Sequence, residues 1–573
     1  MRPLIEINNL SFSYSRSDKP ALDNINLSIN RGEKILITGP AGSGKTTLCL
    51  CLNGLVPHYF RGKLRGEVIV DESNTRQSTI SELSHKVGLL FQDPATQLVC
   101  PTVIDEVAFG QENYGVNPKL IRERAIEALE VTRLRGVEER APQRLSGGQQ
   151  QSVALASIIA MRPNIFVLDE PTSNLDPIGS QIILKLLTEL ATTEKRTIIT
   201  VEHKLEELLP VIDRLIVLNK GKIILEGKPS EIINKIDIMD NLGLKVPQVT
   251  LLLSKMKKRD PDIKLTFNAM ESSQIVMDIL QNKRIRLNDI VENKYKNSND
   301  IIVETKNLWH EYEGGTVALK GINLEIRKGE CIGLIGQNGS GKTTLVKHFN
   351  GLLKPTKGSV EIFGVNTANS SINELSKKVG YCFQNPDHQL CCDTVEKELN
   401  FGPHNIHMPL DRIAELVKDI SNLLGLNTVL DKNPFSLSKG ERQKVAVGSI
   451  LTMQPEILVV DEPTTGQDYE TSKKMMQLYT ELNNLGKTII IITHDMNLVA
   501  EYTKRAVVLK DGKVLLDGIT RDVFSKSRLL KTTYIKPPQV TELGEMLGLN
   551  KTILSVDEMY KTLNKGEDVS HGL

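Results

Sequence analysis

Two stretches of the chain, GPAGSGKTTL at 39–48 and GQNGSGKTTL at 336–345, satisfy the pattern G-x-x-x-x-G-K-[ST] in full. Glycines in such a loop let backbone N–H groups curl around the β- and γ-phosphates of a nucleotide. The lysine adds a point charge and the next hydroxyl reaches Mg2+. The residues that would do this are Gly39, Gly42, Ser43, Gly44, Lys45, Thr46 and Thr47, and again Gly336, Gly339, Ser340, Gly341, Lys342, Thr343 and Thr344. Further along, four apolar residues lead into Asp169-Glu170 and into Asp461-Glu462. An aspartate at a strand end suits Mg2+, and the glutamate after it is placed to polarise an attacking water. The bland alternative for such a pair is a helix N-cap.

Three further residue types recur in both halves. His203 in VEHK and His494 in ITHD end a later strand. A lone histidine there is usually structural, but beside the other parts it becomes a catalytic candidate. Tyr14 and Tyr312 stand at the same register near the start of each half, where they could stack on adenine or simply join the core. Gln92 and Gln384 could complete the Mg2+ shell and sense a partner, the alternative being a solvated loop.

These parts need strands to hold them. The lysines of the two phosphate loops stand 297 positions apart, and the later motifs (FQDPATQL over FQNPDHQL, IFVLDEPT over ILVVDEPT) repeat at 292. A period that long means a duplicated domain rather than a solenoid. Each half alternates β-branched runs (KILITG, IFVLDE, RTIITVEH) with helical stretches such as NPKLIRERAIEALEVTRL, which predicts an α/β domain with a largely parallel sheet. The chemistry then falls at the C-terminal ends of strands. PQVT occurs at 247–250 and again at 538–541, so each half carries its own appendage, and residues 251–300, rich in Lys and Asn, read as appendage running into linker.

Composition narrows the field. The 573 residues are too many for one core, and 71 Lys plus Arg against 70 Asp plus Glu leave none of the basic excess that nucleic-acid binding by charge requires. No apolar run approaches the ~18 residues that span a bilayer. MRPLIEINNLSF lacks the build of a signal peptide, so the chain is expected in the cytosol. Seven cysteines in no C-x-x-C pattern are expected to be buried small hydrophobes.

Together the motifs resemble the ATP-binding cassette (ABC) family, whose signature LSGGQ occurs at 145–149, with LSKGE at 437–441. The resemblance implies tandem P-loop NTPase domains that bind ATP and Mg2+ and hydrolyse ATP. It also implies a head-to-tail sandwich, a pseudo-dimer within one chain, in which the signature of one cassette meets the γ-phosphate held by the other. Ser146, Gly147 and Gly148 would face the nucleotide of Lys342, and Ser438 and Gly440 that of Lys45. Helix-end chemistry supports this independently. The boundaries expected are cassettes at 1–235 and 301–525, with appendages at 236–300 and 526–573.

A narrower likeness is to the ATPases of energy-coupling factor importers. TVIDEVAFGQEN and TVEKELNFGPHN resemble the stretch that docks a membrane helix in that subfamily. This implies an integral coupling subunit, a substrate-binding membrane subunit and a peripheral place on the cytoplasmic face of the membrane. A twin-cassette ATPase acting on the ribosome is the rival, although residues 251–300 hold only ten Lys plus Arg against seven Asp plus Glu where a strongly charged arm is expected. The departures from the family pattern are Lys439, Glu441 and TTGQDYE in place of TSNLDPI. If position 439 needs a left-handed backbone, lysine costs about 1 kcal/mol there. The site of Lys45, Glu170 and His203 would then be the slower of the two.

Overall fold

The computed structural model describes residues 2–15, 19–173, 175, 177–283, 298–464 and 467–564. Thr465 and Gly466 of the departing stretch TTGQDYE, and Asn174 and Asp176 of TSNLDPI, lie outside the described residues, as does linker 284–297. The chain divides into two compact units, Met1–Ser272 and Ser273–Leu573.

In the first unit six strands form one sheet in the order Lys222–Gly227, Arg214–Asn219, Lys34–Thr38, Thr197–Val201, Ile165–Asp169 and Val87–Leu90. All neighbours run parallel except the first pair. Ile165–Asp169 and Thr197–Val201 are buried at every position, as expected of strands covered on both faces. The second unit repeats the sheet with Val379–Cys382, Ile457–Asp461, Thr488–Ile492, Cys331–Gly336, Arg505–Lys510 and Lys513–Ile519. The α/β expectation therefore holds in each half.

Each unit also has a separate four-stranded antiparallel sheet, which the sequence reading did not separate from the parallel one. Its strand Ile5–Tyr14, or Ile301–Glu311 in the second unit, lies between two partners and alternates buried with half-exposed residues. That alternation is the mark of a sheet with one wet face.

The PQVT repeats begin equivalent helices, Gln248–Lys257 and Gln539–Met546. Each threonine hydroxyl donates to a later carbonyl, Thr250 to Thr266 at 2.7 Å and Thr541 to Ile553. The first appendage joins a core that includes Leu36, Leu215, Met239 and Val246.

Seven cysteines were expected to be buried, and five are. Cys391 is exposed and Cys392 half-buried, which corrects that expectation for the adjacent pair.

Candidate nucleotide site

Each phosphate loop leaves the central strand of its parallel sheet and enters a helix, Lys45–Leu52 or Lys342–Phe349. Glycine is required here by space as well as by conformation. Gly39 lies at φ 155, and a Cβ there would come within 2.1 Å of the Leu218 carbonyl. Gly336 repeats this at φ 154, with the Leu509 carbonyl 2.4 Å away. The loops are drawn round the lysines: Lys45 Nζ donates to the carbonyls of Gly39 and Pro40 at 2.8 and 2.9 Å, and Lys342 Nζ to those of Gly336 and Gln337 at 2.8 Å each.

Several features fit a phosphate and a hard cation. The buried hydroxyls of Ser43 and Ser340 have no hydrogen-bond partner among the described residues. Such groups are costly unless something satisfies them. Thr46 Oγ1 donates to Asp169 Oδ2 at 2.6 Å, and Thr343 Oγ1 to Asp461 Oδ2 at 2.9 Å. Hydroxyl and carboxylate oxygens at one point are the donor set Mg2+ prefers. Burial pushes the Asp169 carboxyl up to about 6, with the Thr46 hydrogen bond opposing and the Glu170 charge adding to it. Asp461 is likewise raised, first by burial and then by Glu462. A bound divalent cation supplies the positive charge that offsets this burial and neutralises the phosphates.

The glutamates stand where the notion of an N-cap does not apply, at the turn after the strand. Glu170 and Glu462 adopt φ 52 and 48, the left-handed region, at a cost of about 1–3 kcal/mol for a side chain with Cβ. Hydrogen bonds hold the backbone there, at Glu170 from both sides. Glu170 N–H donates to Val201 O at 2.9 Å, and the Gln151 amide donates to the Glu170 carbonyl at 2.7 Å. Glu462 N–H donates to Ile492 O at 2.8 Å. The twist brings each carboxylate to its histidine: Glu170 Oε1 lies 3.3 Å from His203 Nε2, and Glu462 Oε2 lies 2.9 Å from His494 Nδ1. Burial raises Glu462, but the adjoining His494 and Lys342 outweigh it and hold the carboxyl below its usual range. An ionised carboxylate of this kind can accept a proton from water.

The two sites differ in detail. Gln92 donates to Glu170 Oε1 at 2.8 Å, whereas Gln384 is exposed. Tyr381 donates to Asp461 at 2.9 Å, while its counterpart in the first unit is Leu89. Tyr14 and Tyr312 each place their hydroxyl 3.0 Å from a threonine of the phosphate-loop helix, Thr47 and Thr344. Beneath Tyr312 the ring of His310 packs edge-on, with His348 behind it, where the first unit has Phe12 and Cys51.

Each signature serine caps a helix. Ser146 and Gln149 form a capping box at the start of Gly147–Met161, as Ser438 and Glu441 do at Lys439–Leu451. Lys439 is the first helical residue and does not lie at positive φ. A Cβ at the equivalent Gly147 would meet nothing within 4 Å. The conditional backbone penalty for Lys439 therefore does not arise.

Sequence reasoning missed Gln151 and Tyr381. Gln151 had a signal, because the second copy carries Gln443 at the same register on the buried face of its signature helix. Tyr381 had none, since the first unit lacks it.

The profile of the ABC transporter family matches residues 22–173 and 319–465. A relative from Caldanaerobacter subterraneus subsp. tengcongensis, named as an ABC transporter ATP-binding protein, is 42% identical over 559 residues, covering 97% of this chain and 98% of its own. The chain belongs to the ABC transporter family. A Methanosarcina acetivorans protein of the same designation is 37% identical over 97% of this chain and 91% of its own length. Among solved structures, cbiO1 from Clostridium perfringens, described as part of the ABC transporter complex cbiONQ, is 36% identical. It covers 43% of this chain and 100% of its own, with a TM-score of 0.38. The protein is thus an ABC ATPase with two tandem P-loop NTPase domains, which binds ATP with Mg2+ and hydrolyses it.

Proposed function

We propose that this ABC ATPase is the fused ATPase pair of an energy-coupling factor type importer for a vitamin, a vitamin precursor or a transition-metal ion. It would sit on the cytoplasmic face of the membrane, held by an integral coupling subunit that works with a substrate-binding membrane subunit. The observation that carries this reading is a pair of exposed phenylalanines. Phe109 on helix Val103–Asn113 is 46% exposed and Phe401 on helix Val395–Asn405 is 50% exposed, at equivalent positions of the stretches that resemble the subfamily's docking segment. Large apolar rings kept in solvent at the same place in two copies are suited to covering by an apolar partner helix. No helix among the described residues is long and apolar enough to cross a membrane, so attachment through a partner is the form this reading takes.

In the same proposal the cassettes span 1–235 and 301–525, with appendages at 236–300 and 526–573. They close head to tail over two ATP molecules. Lys45 and Lys342 hold phosphate, with Thr46, Asp169 and Gln92, or Thr343, Asp461 and Gln384, around Mg2+. Glu170 and Glu462 polarise the attacking water, each oriented by its histidine, and Ser146 and Ser438 reach the γ-phosphate across the closed sandwich.

The test is to replace both rings, Phe109→Asp with Phe401→Asp, and to follow the protein in membrane fractions. Release from the membrane with ATP binding intact is expected. Membrane retention by the double variant refutes the docking role, and co-sedimentation of the unmodified protein with ribosomes favours the translation rival instead.

A further inference from the structure

Glu398 sits in the first turn of helix Val395–Asn405 and is almost wholly buried. Its Oε2 accepts the backbone N–H groups of Cys391 and Cys392 at 2.9 and 2.8 Å, fixing the loop before the helix. The first unit has the same clamp, with Glu106 Oε2 accepting from Val99 and Cys100 at 2.7 Å each. The carboxylate clamp is therefore a shared structural device, but only the second copy puts two thiols on it. There a sulfur from each cysteine and an oxygen of Glu398 all lie within 4.8 Å of one another.

We propose that Cys391, Cys392 and Glu398 bind one thiophilic divalent cation of the zinc class. Zinc–thiolate and zinc–carboxylate bonds of about 2.3 and 2.1 Å place ligand atoms roughly 3.5–4 Å apart round one ion. The three ligand atoms, all within 4.8 Å of one another, have to draw together by up to about 1 Å to reach that spacing. The carboxylate is already oriented by its two backbone donors, which is how supporting contacts commonly fix a metal ligand. Two sulfurs select a borderline or soft ion over Mg2+, whose oxygen ligands lie in the nucleotide sites, so the two classes of ion do not compete. Three protein ligands leave a fourth position open to water or to a donor from a partner. The thiol protons go to solvent as the ion binds. Because Phe401 lies on the helix that begins at this loop, the ion would stiffen the segment assigned above to docking, although the site itself does not rest on that assignment.

The test uses the full chain, reduced, freed of metal with a chelator, and titrated with Cd2+ in the presence of MgATP. One Cd2+ per chain is expected, with thiolate-to-metal charge-transfer absorption, and Zn2+ should displace it. Cys391→Val, which installs the residue that the first unit tolerates on the same clamp, should abolish the absorption band and weaken binding at least tenfold, and Cys392→Ser should do the same. Cys100→Ser in the first unit should change neither. Absence of stoichiometric binding overturns the proposal, as does full binding by Cys391→Val that still binds ATP.

Discussion

The Ser438 hydroxyl donates to Glu441 Oε2 across 2.6 Å, while the matching pair in the first unit, Ser146 and the neutral Gln149, stands 3.2 Å apart. The side-chain and backbone bonds from Ser438 hold Glu441 below the usual carboxylate range, so it carries full charge at neutral pH. With Lys439 freed of any backbone penalty, the inequality between the signatures moves to Glu441. Under the function proposed above, that charge would face a γ-phosphate and engage the hydroxyl meant for it. Glu441→Gln is therefore expected to lower KM for ATP and raise turnover severalfold, a change of about 1 kcal/mol. Steady-state kinetics on the complex check this, and unchanged constants would show that the carboxylate turns away from nucleotide.

Glu170→Gln and Glu462→Gln are expected to differ. The intact LSGGQ signature would serve the site of Lys342, Glu462 and His494, so Glu462→Gln should cut turnover by several powers of ten while ATP still binds. Glu170→Gln should leave a measurable fraction. Equal losses would mean the sites fire as an obligate pair, and a larger loss from Glu170→Gln would reverse the assignment.

His348 predicts an acid sensitivity confined to the second unit. Burial lowers its pKa from 6.5 to about 4, with the neighbouring His310 adding to the shift. The unfolded chain therefore takes up a proton between those values that the folded chain refuses. The contribution to stability is fully present above pH 6.5 and is lost as pH falls toward 4, up to about 3 kcal/mol. Denaturant unfolding at pH 7 and pH 5 should show the loss, and His348→Cys, matching Cys51 of the first unit, should flatten it.

Gln151 and Gln443 occupy the same register but carry different burdens. The Gln151 amide supports the strained Glu170 backbone, whereas the buried Gln443 Nε2 has no hydrogen-bond partner among the described residues. Gln151→Leu should destabilise by about 1 kcal/mol, the worth of one buried hydrogen bond, since the Ser173 hydroxyl still donates to the Glu170 carbonyl at 3.1 Å. Gln443→Leu should cost less, and equal unfolding midpoints for the two variants would contradict this.

The phosphate loops and the Asp-Glu pairs were legible because each is a contiguous string whose chemistry depends on local spacing. Thr46 meeting Asp169 followed once both strings fell at strand ends of one parallel sheet. What stayed hidden depends on contacts distant in sequence. The left-handed turn at Glu170 is held by Gln151 from another helix, and Tyr381 reaches Asp461 from a neighbouring strand. Cys391 and Cys392 depart from the buried-cysteine expectation because they stand in a loop that Glu398 of the next helix holds by its backbone, a contact their spacing does not announce. LSGGQ reads as a glycine turn and so makes Lys439 look like a backbone problem, yet the first of its glycines opens an ordinary helix.

The hydroxyl contacts of Tyr14 with Thr47 and of Tyr312 with Thr344 join the C-terminal end of an inner strand of the antiparallel sheet to the helix that follows the phosphate loop. If the rings stack on adenine, each pair would work as a gauge of fixed length. The span between aromatic ring and phosphate loop is set before any ligand arrives, so a molecule that is too short or too long can satisfy one end only. Losing the hydroxyl, as in Tyr14→Phe, would leave the ring in place but let that gauge slip.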